Sequence, residues 1–220
     1  MNAEPIRAAF SAARTLAAFA LVITLLMALT HQLTEPSIAA AHERARLERV
    51  HALLAADSFD NDLLADALAL PPVAALGLDE PSQALVARKN GVPVAVLLEA
   101  RAPDGYGGAI ELLLAIAPDN RLLGLRVTEH HETPGLGDYI DPEKDRRTPK
   151  WIEQFAGIGL ADVPAEQWRP QKDGGHFDAR TGATISARAV LRASARALEW
   201  ARAHHDELFV PPPAANAASR

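Results

Sequence analysis

Hydrophobic residues in this chain follow three different rhythms. Residues 15–33 read TLAAFALVITLLMALTHQL, and between Leu16 and Leu29 only Thr24 relieves an unbroken apolar run. That approaches the roughly 20 residues a helix needs to cross a bilayer, and the long side chain of Arg14 extends it by reaching toward the headgroups. The pattern predicts one membrane helix. Beyond Pro36 the run HERARLERVHALL places Leu47, Val50 and Leu54 on one helical face, so an amphipathic stalk or packed first helix is expected to follow directly, its charges forming a solvated face.

From residue 84 the rhythm shortens. ALVARK and VPVAVLLEARA flank Asn90 and Gly91, a pair that supplies the positive φ values of a tight hairpin. AIELLLAIA and RLLGLRVTEH form a second pair around Pro118, Asp119 and Asn120, and the four segments predict an antiparallel meander. TPKWIEQFAG predicts a short helix, introduced by Thr148 and Pro149, that buries Trp151, Ile152 and Phe155. WRPQKDGGHFDA reads mostly as loop. From Ile185 the chain is rich in Ala, Leu and Arg and free of Gly and Pro until Pro211, which predicts a long helix starting near Thr184.

A sheet of four or more strands followed by flanking helices is an α+β fold, without the βαβ alternation of a Rossmann domain. The expected divisions are a cytoplasmic N-terminus with a single transmembrane anchor (1–34), a helical stalk and connector (35–82), an antiparallel-sheet domain (83–209) and a Pro- and Ala-rich disordered tail (210–220). Arg7 and Arg14 on the N-terminal side of the apolar run place the N-terminus in the cytoplasm and send the main domain across the membrane, into the periplasm of a Gram-negative cell. A signal peptide cleaved near the small residues at 38–41 is the competing reading. The charged helix that continues past Pro36 favours a retained anchor.

Composition narrows the function. A net charge of -6 and a pI near 5.7 argue against an electrostatic nucleic-acid binder. With no cysteine, disulfides, thiolate iron–sulfur ligation, c-type haem attachment and cysteine nucleophiles are all excluded. Neither a G-x-G-x-x-G nor a Walker sequence is present, so dinucleotide binding by those routes is not expected.

Three stretches carry candidate chemistry. APDGYGGAI (102–110) sets three glycines around Tyr106, and a plain turn explains it as well as a site does. TEHHETPGLGD (128–138) contains Glu129, His130, His131 and Glu132 in a row, but alternate strand residues face opposite sides and no H-E-x-x-H spacing exists, so no metal site is expected. Its TPGLG run holds the backbone in a defined loop, with N–H groups expected to be free for a flat ring or an anion. DARTGATIS (178–186) stands at the mouth of the long helix, where unpaired N–H groups and the helix dipole favour a phosphate. The alternative is an ordinary cap made by Thr181, with Gly182 easing the turn.

HETPGLGD, APDGYGGAI and above all DARTGATIS resemble the G subunits of the Rnf (Rsx) electron-transport complexes, and the likeness runs from the N-terminal anchor to the end of the last helix. The C subunit of the sodium-translocating NADH:quinone reductase shares the same kind of FMN-binding domain and is the more distant resemblance. Asp178, Thr181, Gly182, Ala183 and Thr184 match the motif D-x-x-[ST]-G-A-[ST], at which a flavin transferase joins FMN through its phosphate to the last threonine. The resemblance therefore implies a phosphoester between FMN and Thr184, with Thr181 and Ser186 as nearby competitors. A threonine hydroxyl with no adjacent base needs a separate enzyme for that attachment.

The resemblance also implies that Tyr106, Glu132, Thr133, Leu136 and Gly137 neighbour the flavin, with Lys172 as a further candidate, and Arg188 could add a cation one turn beyond Thr184. The protein so implied is a membrane-anchored flavoprotein that relays electrons through covalent FMN in an ion-translocating NADH/ferredoxin-type complex. Its partners are the other subunits and the maturing transferase, and it is not expected to be catalytic alone. An extracytoplasmic sensor or adaptor without a redox centre is the alternative, and in it the Thr-Gly-Ala-Thr stretch is only a cap.

Overall fold

The computed structural model describes residues 4–51, 53–55 and 57–209, with side chains left aside at 4–12 and 36–49. It divides into two compact units, residues 1–48 and 49–220. Helix α1 (Glu4–His51) supplies the first unit and carries the apolar run as a 23-residue span, Ala13–Glu35, with a mean hydropathy of 2.0. Its apolar side chains are exposed, as lipid-facing residues must be. The hydroxyls of Thr30 and Thr34 donate back to the carbonyls of Leu26 and Thr30, at 2.8 and 2.9 Å, so neither is left bare in an apolar surrounding. Helical backbone continues through Pro36, as the charged run predicts. The side chains of Arg7 and Leu47 and the tail 210–220 lie outside the described residues.

The second unit is built on a five-stranded antiparallel sheet in the order β1 (Leu68–Leu70), β2 (Ser82–Lys89), β3 (Val92–Ala102), β4 (Ile110–Ile116) and β5 (Leu122–Glu129). The last four are the predicted meander. Strand β1 was not expected; at three residues it is too short to show a periodicity, and pairing with the edge of β2 alone defines it. Asn90 and Gly91 turn with φ of 51° and 78°, the two positive values of a primed hairpin, and Asn120 at φ 62° closes the β4–β5 connection.

The sheet is buried on both faces, which is why β3 and β4 read as continuous apolar runs rather than as alternation. Val86, Val96, Leu98, Leu112 and Leu114 face one core, which they share with helix α2 (Thr184–Ala203). Leu85, Leu97 and Leu113 face a second, smaller core that Val50, Leu54 and Leu63 cover. Alanines at 187, 197 and 201 are buried on α2 and let its backbone come close to the strands.

Between β5 and α2 the chain has little regular structure, and aromatic packing organises it. Tyr139, Trp151, Phe155, Trp168 and Phe177 form a chain of ring contacts with centroids 4.7 to 6.2 Å apart. The predicted short helix is present as a 3-10 turn, Trp151–Phe155, with Trp151, Ile152 and Phe155 buried as expected. It comes after a cis peptide at Thr148–Pro149. The last helix starts at Thr184 but breaks at His204; a separate helix α3 (His205–Phe209) then tucks Leu208 and Phe209 into the core.

Candidate functional site

The turn that leads into α2 is fixed from three directions. Buried Tyr139 accepts a hydrogen bond from the Arg180 N–H at 3.1 Å and donates to the Ala183 carbonyl at 3.3 Å, bracketing the turn. Burial pushes the Tyr139 phenol up, and the Arg180 N–H and the Arg147 guanidinium oppose that rise only in part. Trp151 Nε1 donates to the Asp178 carbonyl at 2.7 Å, and the Asp178 N–H donates to Gln154 Oε1 at 2.9 Å. Arg147 bridges Asp178 and the buried carboxylate of Asp145, which also accepts the Trp151 N–H at 2.7 Å. Burial alone would raise Asp145; the Arg147 side chain and the N–H groups of Trp151 and Arg147 outweigh it and hold the carboxyl below its usual range.

Gly182 sits at φ +88°, a left-handed value that glycine reaches without strain. The residue that caps α2 is Ala183, and no side chain bonds to the helix start. Thr181 is exposed and caps nothing. The cap alternative thus fails in its particulars, because the Gly182 turn places Ala183 rather than a threonine at the capping position. The first N–H groups of a 20-residue helix have no side-chain acceptor.

Beside this turn lies a cleft of about 130 Å³. All five residues expected near a flavin line it: Tyr106, Glu132, Thr133, Leu136 and Gly137. Gly182, Ala183, Ile185 and Ser186 from the turn and the first helical residues complete its wall. Tyr106, Leu136 and Ile185 are exposed at 67, 43 and 44 %, whereas Glu132 and Ser186 are buried at 5 and 1 %. Ser186 donates to Glu132 Oε2 at 2.6 Å and the Gly107 N–H to Oε1 at 3.2 Å.

Close approach between the loops needs two glycines. A Cβ at Gly107 would stand 1.9 Å from the His131 carbonyl oxygen, and one at Gly137 2.7 Å from Glu132 Oε2 and 2.9 Å from Ser186 Oγ. The TPGLG loop differs from its expected form: the N–H groups of Leu136 and Gly137 both turn inward onto the Thr133 carbonyl at 3.1 Å, closing the loop on itself. Those two donors are not free for a ligand.

Other expected residues lie outside the cleft. Thr184 is buried next to it, and its hydroxyl reaches the Arg180 carbonyl at 3.5 Å, the outer limit of a hydrogen bond. Asp178 serves the turn through Arg147, and Lys172 is exposed on the 3-10 turn Gln171–Asp173. Arg188 does not supply a cation to Thr184. It forms a bidentate pair with Asp173 at 2.6 and 2.7 Å, Arg192 pairs with Asp104 at the base of the Tyr106 loop, and Arg196 reaches the Ala75 carbonyl. The three arginines at i+4 spacing on α2 therefore hold three loops to the helix. Sequence reading gave Tyr139 no role and Ser186 only that of a competing attachment site; Ser186, two positions past Thr184 in the first helical turn, was the legible clue.

The cleft, walled by an uncapped helix start and two glycine-dependent loops, belongs to an α+β domain of which residues 105–199 match the FMN-binding domain family; with the apolar helix of the same chain, this is an anchored protein of the FMN-binding domain class. Residues 1–53 match the RnfG N-terminal region. The chain is 43% identical over 215 residues to the G subunit of the ion-translocating oxidoreductase complex of Pseudomonas aeruginosa, covering 98% of this chain and 99% of that one. It is 40% identical to the corresponding protein of Shewanella baltica, over 90% of this chain and 91% of the relative, and 44% identical to that of Yersinia pestis, over 81% and 83%. The chain belongs to this family, the G subunits of ion-translocating oxidoreductase complexes.

Proposed function

We propose that this chain is the membrane-anchored flavoprotein subunit of an ion-translocating oxidoreductase complex, and that it relays electrons through FMN joined by its phosphate to Thr184. The observation that carries this reading is convergence. Five residues expected near the ring, drawn from two separate loops, meet in one cleft beside the attachment turn.

The residues present fit the cofactor. Thr184 stands at the first position of α2, where N–H groups without a side-chain cap and the positive end of the helix dipole favour a phosphate. Its hydroxyl donates only a marginal bond, so esterification sacrifices little. FMN supplies the one- and two-electron chemistry. At about 130 Å³ the cleft is below the range of roughly 300–1,000 Å³ that encloses a drug-sized ligand, so it would hold only part of a ring system. Tyr106, Leu136 and Ile185 offer apolar surface at its exposed side, and the protein's own work is to hold, orient and partly desolvate the ring.

Its partners are the other subunits of the complex, together with the flavin transferase that makes the bond. A single helix, Ala13–Glu35, tethers the domain to the bacterial inner membrane, and Arg7 and Arg14 orient it with the FMN domain in the periplasm. The sensor or adaptor alternative reads the Thr-Gly-Ala-Thr stretch as an ordinary cap; a threonine cap does not form, and covalent flavin is what separates the two readings.

The test compares the full-length chain with Thr184→Val on a denaturing gel under ultraviolet light, each co-expressed with the transferase. Fluorescence in the wild type alone supports the linkage. Fluorescence in both moves it to Thr181 or Ser186, and darkness in both, with the transferase active on a control protein, overturns covalent flavin.

A further inference from the structure

Glu132 is a carboxylate buried in the cleft wall with no cation beside it among the described residues. Both oxygens are engaged, Oε2 by the Ser186 hydroxyl at 2.6 Å and Oε1 by the Gly107 N–H at 3.2 Å. A hydroxyl-to-oxygen distance of 2.6 Å lies at the short end for a hydroxyl donor, so the carboxylate is firmly held. Its own N–H is tied to His130 Nδ1 at 3.1 Å, so the backbone below the side chain is held as well.

Such an arrangement contributes little to stability. Burying a charge is expensive unless it is paired, and two neutral donors compensate it only in part. The surrounding loops nevertheless pack close to it: a Cβ on Gly137 would stand 2.7 Å from Oε2, and one on Gly105 2.4 Å from the Gly108 carbonyl oxygen and 2.7 Å from Oε1. The chain holds a carboxylate, aimed and desolvated, at the wall of the cleft.

The structure assigns Glu132 the role of setting the potential of the bound flavin, with Ser186 as the positioning residue that directs its carboxylate and, by donating to it, draws off part of its charge. This rests on the reading that FMN occupies the cleft. Reduction makes the ring system more electron-rich, and a fixed negative charge in a partly water-excluded wall opposes that change more strongly than it would in water. Glu132 thereby holds the flavin at a lower potential than the cleft would otherwise give, which suits a relay that passes electrons onward rather than trapping them.

The experiment is a redox titration at one fixed pH on the full-length, flavinylated protein in detergent, comparing wild type, Glu132→Gln and Ser186→Ala. Gln keeps the shape and an acceptor but loses the charge. At the wild-type midpoint the reduced-to-oxidised ratio of the Gln variant should rise at least tenfold, about 30 mV for a two-electron couple. Ser186→Ala keeps the charge and removes a donor, so its potential should move the opposite way. A merely structural role for the pair predicts no such opposition of sign.

Retained covalent flavin with unchanged potentials in both variants overturns the assignment. So does a folded Glu132→Gln protein that takes up no flavin, which would make Glu132 a loading residue. If Glu132→Gln does not fold, the direction of the Ser186→Ala shift decides by itself. A wild-type protein without flavin, despite an active transferase, is a different failure and sinks the FMN reading itself.

Discussion

The phenol of Tyr139 and the backbone of Arg180, 41 positions apart in sequence, are joined by a 3.1 Å hydrogen bond across the mouth of α2. The same hydroxyl donates to Ala183, so one buried side chain spans the turn that presents Thr184. The ring is held by an edge-on Trp151 at 5.3 Å and covered by the Arg147 guanidinium at 5.3 Å. Attachment geometry and aromatic core are therefore one unit.

Tyr139→Phe removes both bonds while keeping the ring. It should cost about 1–2 kcal/mol, the net of two neutral hydrogen bonds, and lower the yield of covalent flavin because the turn loosens. Chemical unfolding and in-gel flavin fluorescence of the full chain measure the two effects. Unchanged stability with full labelling would show that the bracket does not matter.

Asp145 carries a pH dependence whose sign is fixed. Its carboxyl is held below the usual range, so the stability it contributes is fully present above the ordinary aspartate value near 3.9 and is lost as pH falls toward its folded value. Asp145→Asn should destabilise the protein by about 2 kcal/mol at neutral pH, as bonds onto a charged acceptor weaken, and the gap to wild type should narrow progressively as pH falls below the ordinary aspartate value. Thermal unfolding across that range checks it; a gap that widens in acid refutes the assignment.

Gly107→Ala brings a methyl group against the His131 carbonyl oxygen, where the ideal separation would be 1.9 Å. The Tyr106 loop must move, the bond from Gly107 to Glu132 breaks, and a loss of about 1–3 kcal/mol is expected. The flavin absorption band should shift, since one wall of the cleft is displaced. Wild-type stability and spectrum together would mean that the two loops do not pack this closely.

The absence of cysteine makes the membrane orientation measurable without background. Asn2→Cys and Lys172→Cys variants, treated in spheroplasts with a membrane-impermeant thiol reagent, should label at residue 172 and not at residue 2. The reverse pattern would invert the topology.

The sequence by itself determined the elements and the chemistry that is local to them. An unbroken apolar run, the Asn90-Gly91 turn, the β3 and β4 segments and the start of α2 at Thr184 all depend on near neighbours, and each lies where the pattern put it. Motif resemblance likewise named the two cleft loops. Tertiary structure decided what depends on distant partners. Strand β1 exists only through its pairing with β2, the arginines of α2 find acceptors on three separate loops, and the TPGLG donors close on Thr133 instead of facing outward. The bracket from Tyr139 and the Glu132–Ser186 bond, 54 positions apart, had no sequence signal because neither spacing nor composition encodes which residues a folded loop brings together. Burial then gave those contacts their weight, by removing the water that would otherwise have competed for each hydrogen bond and screened each charge.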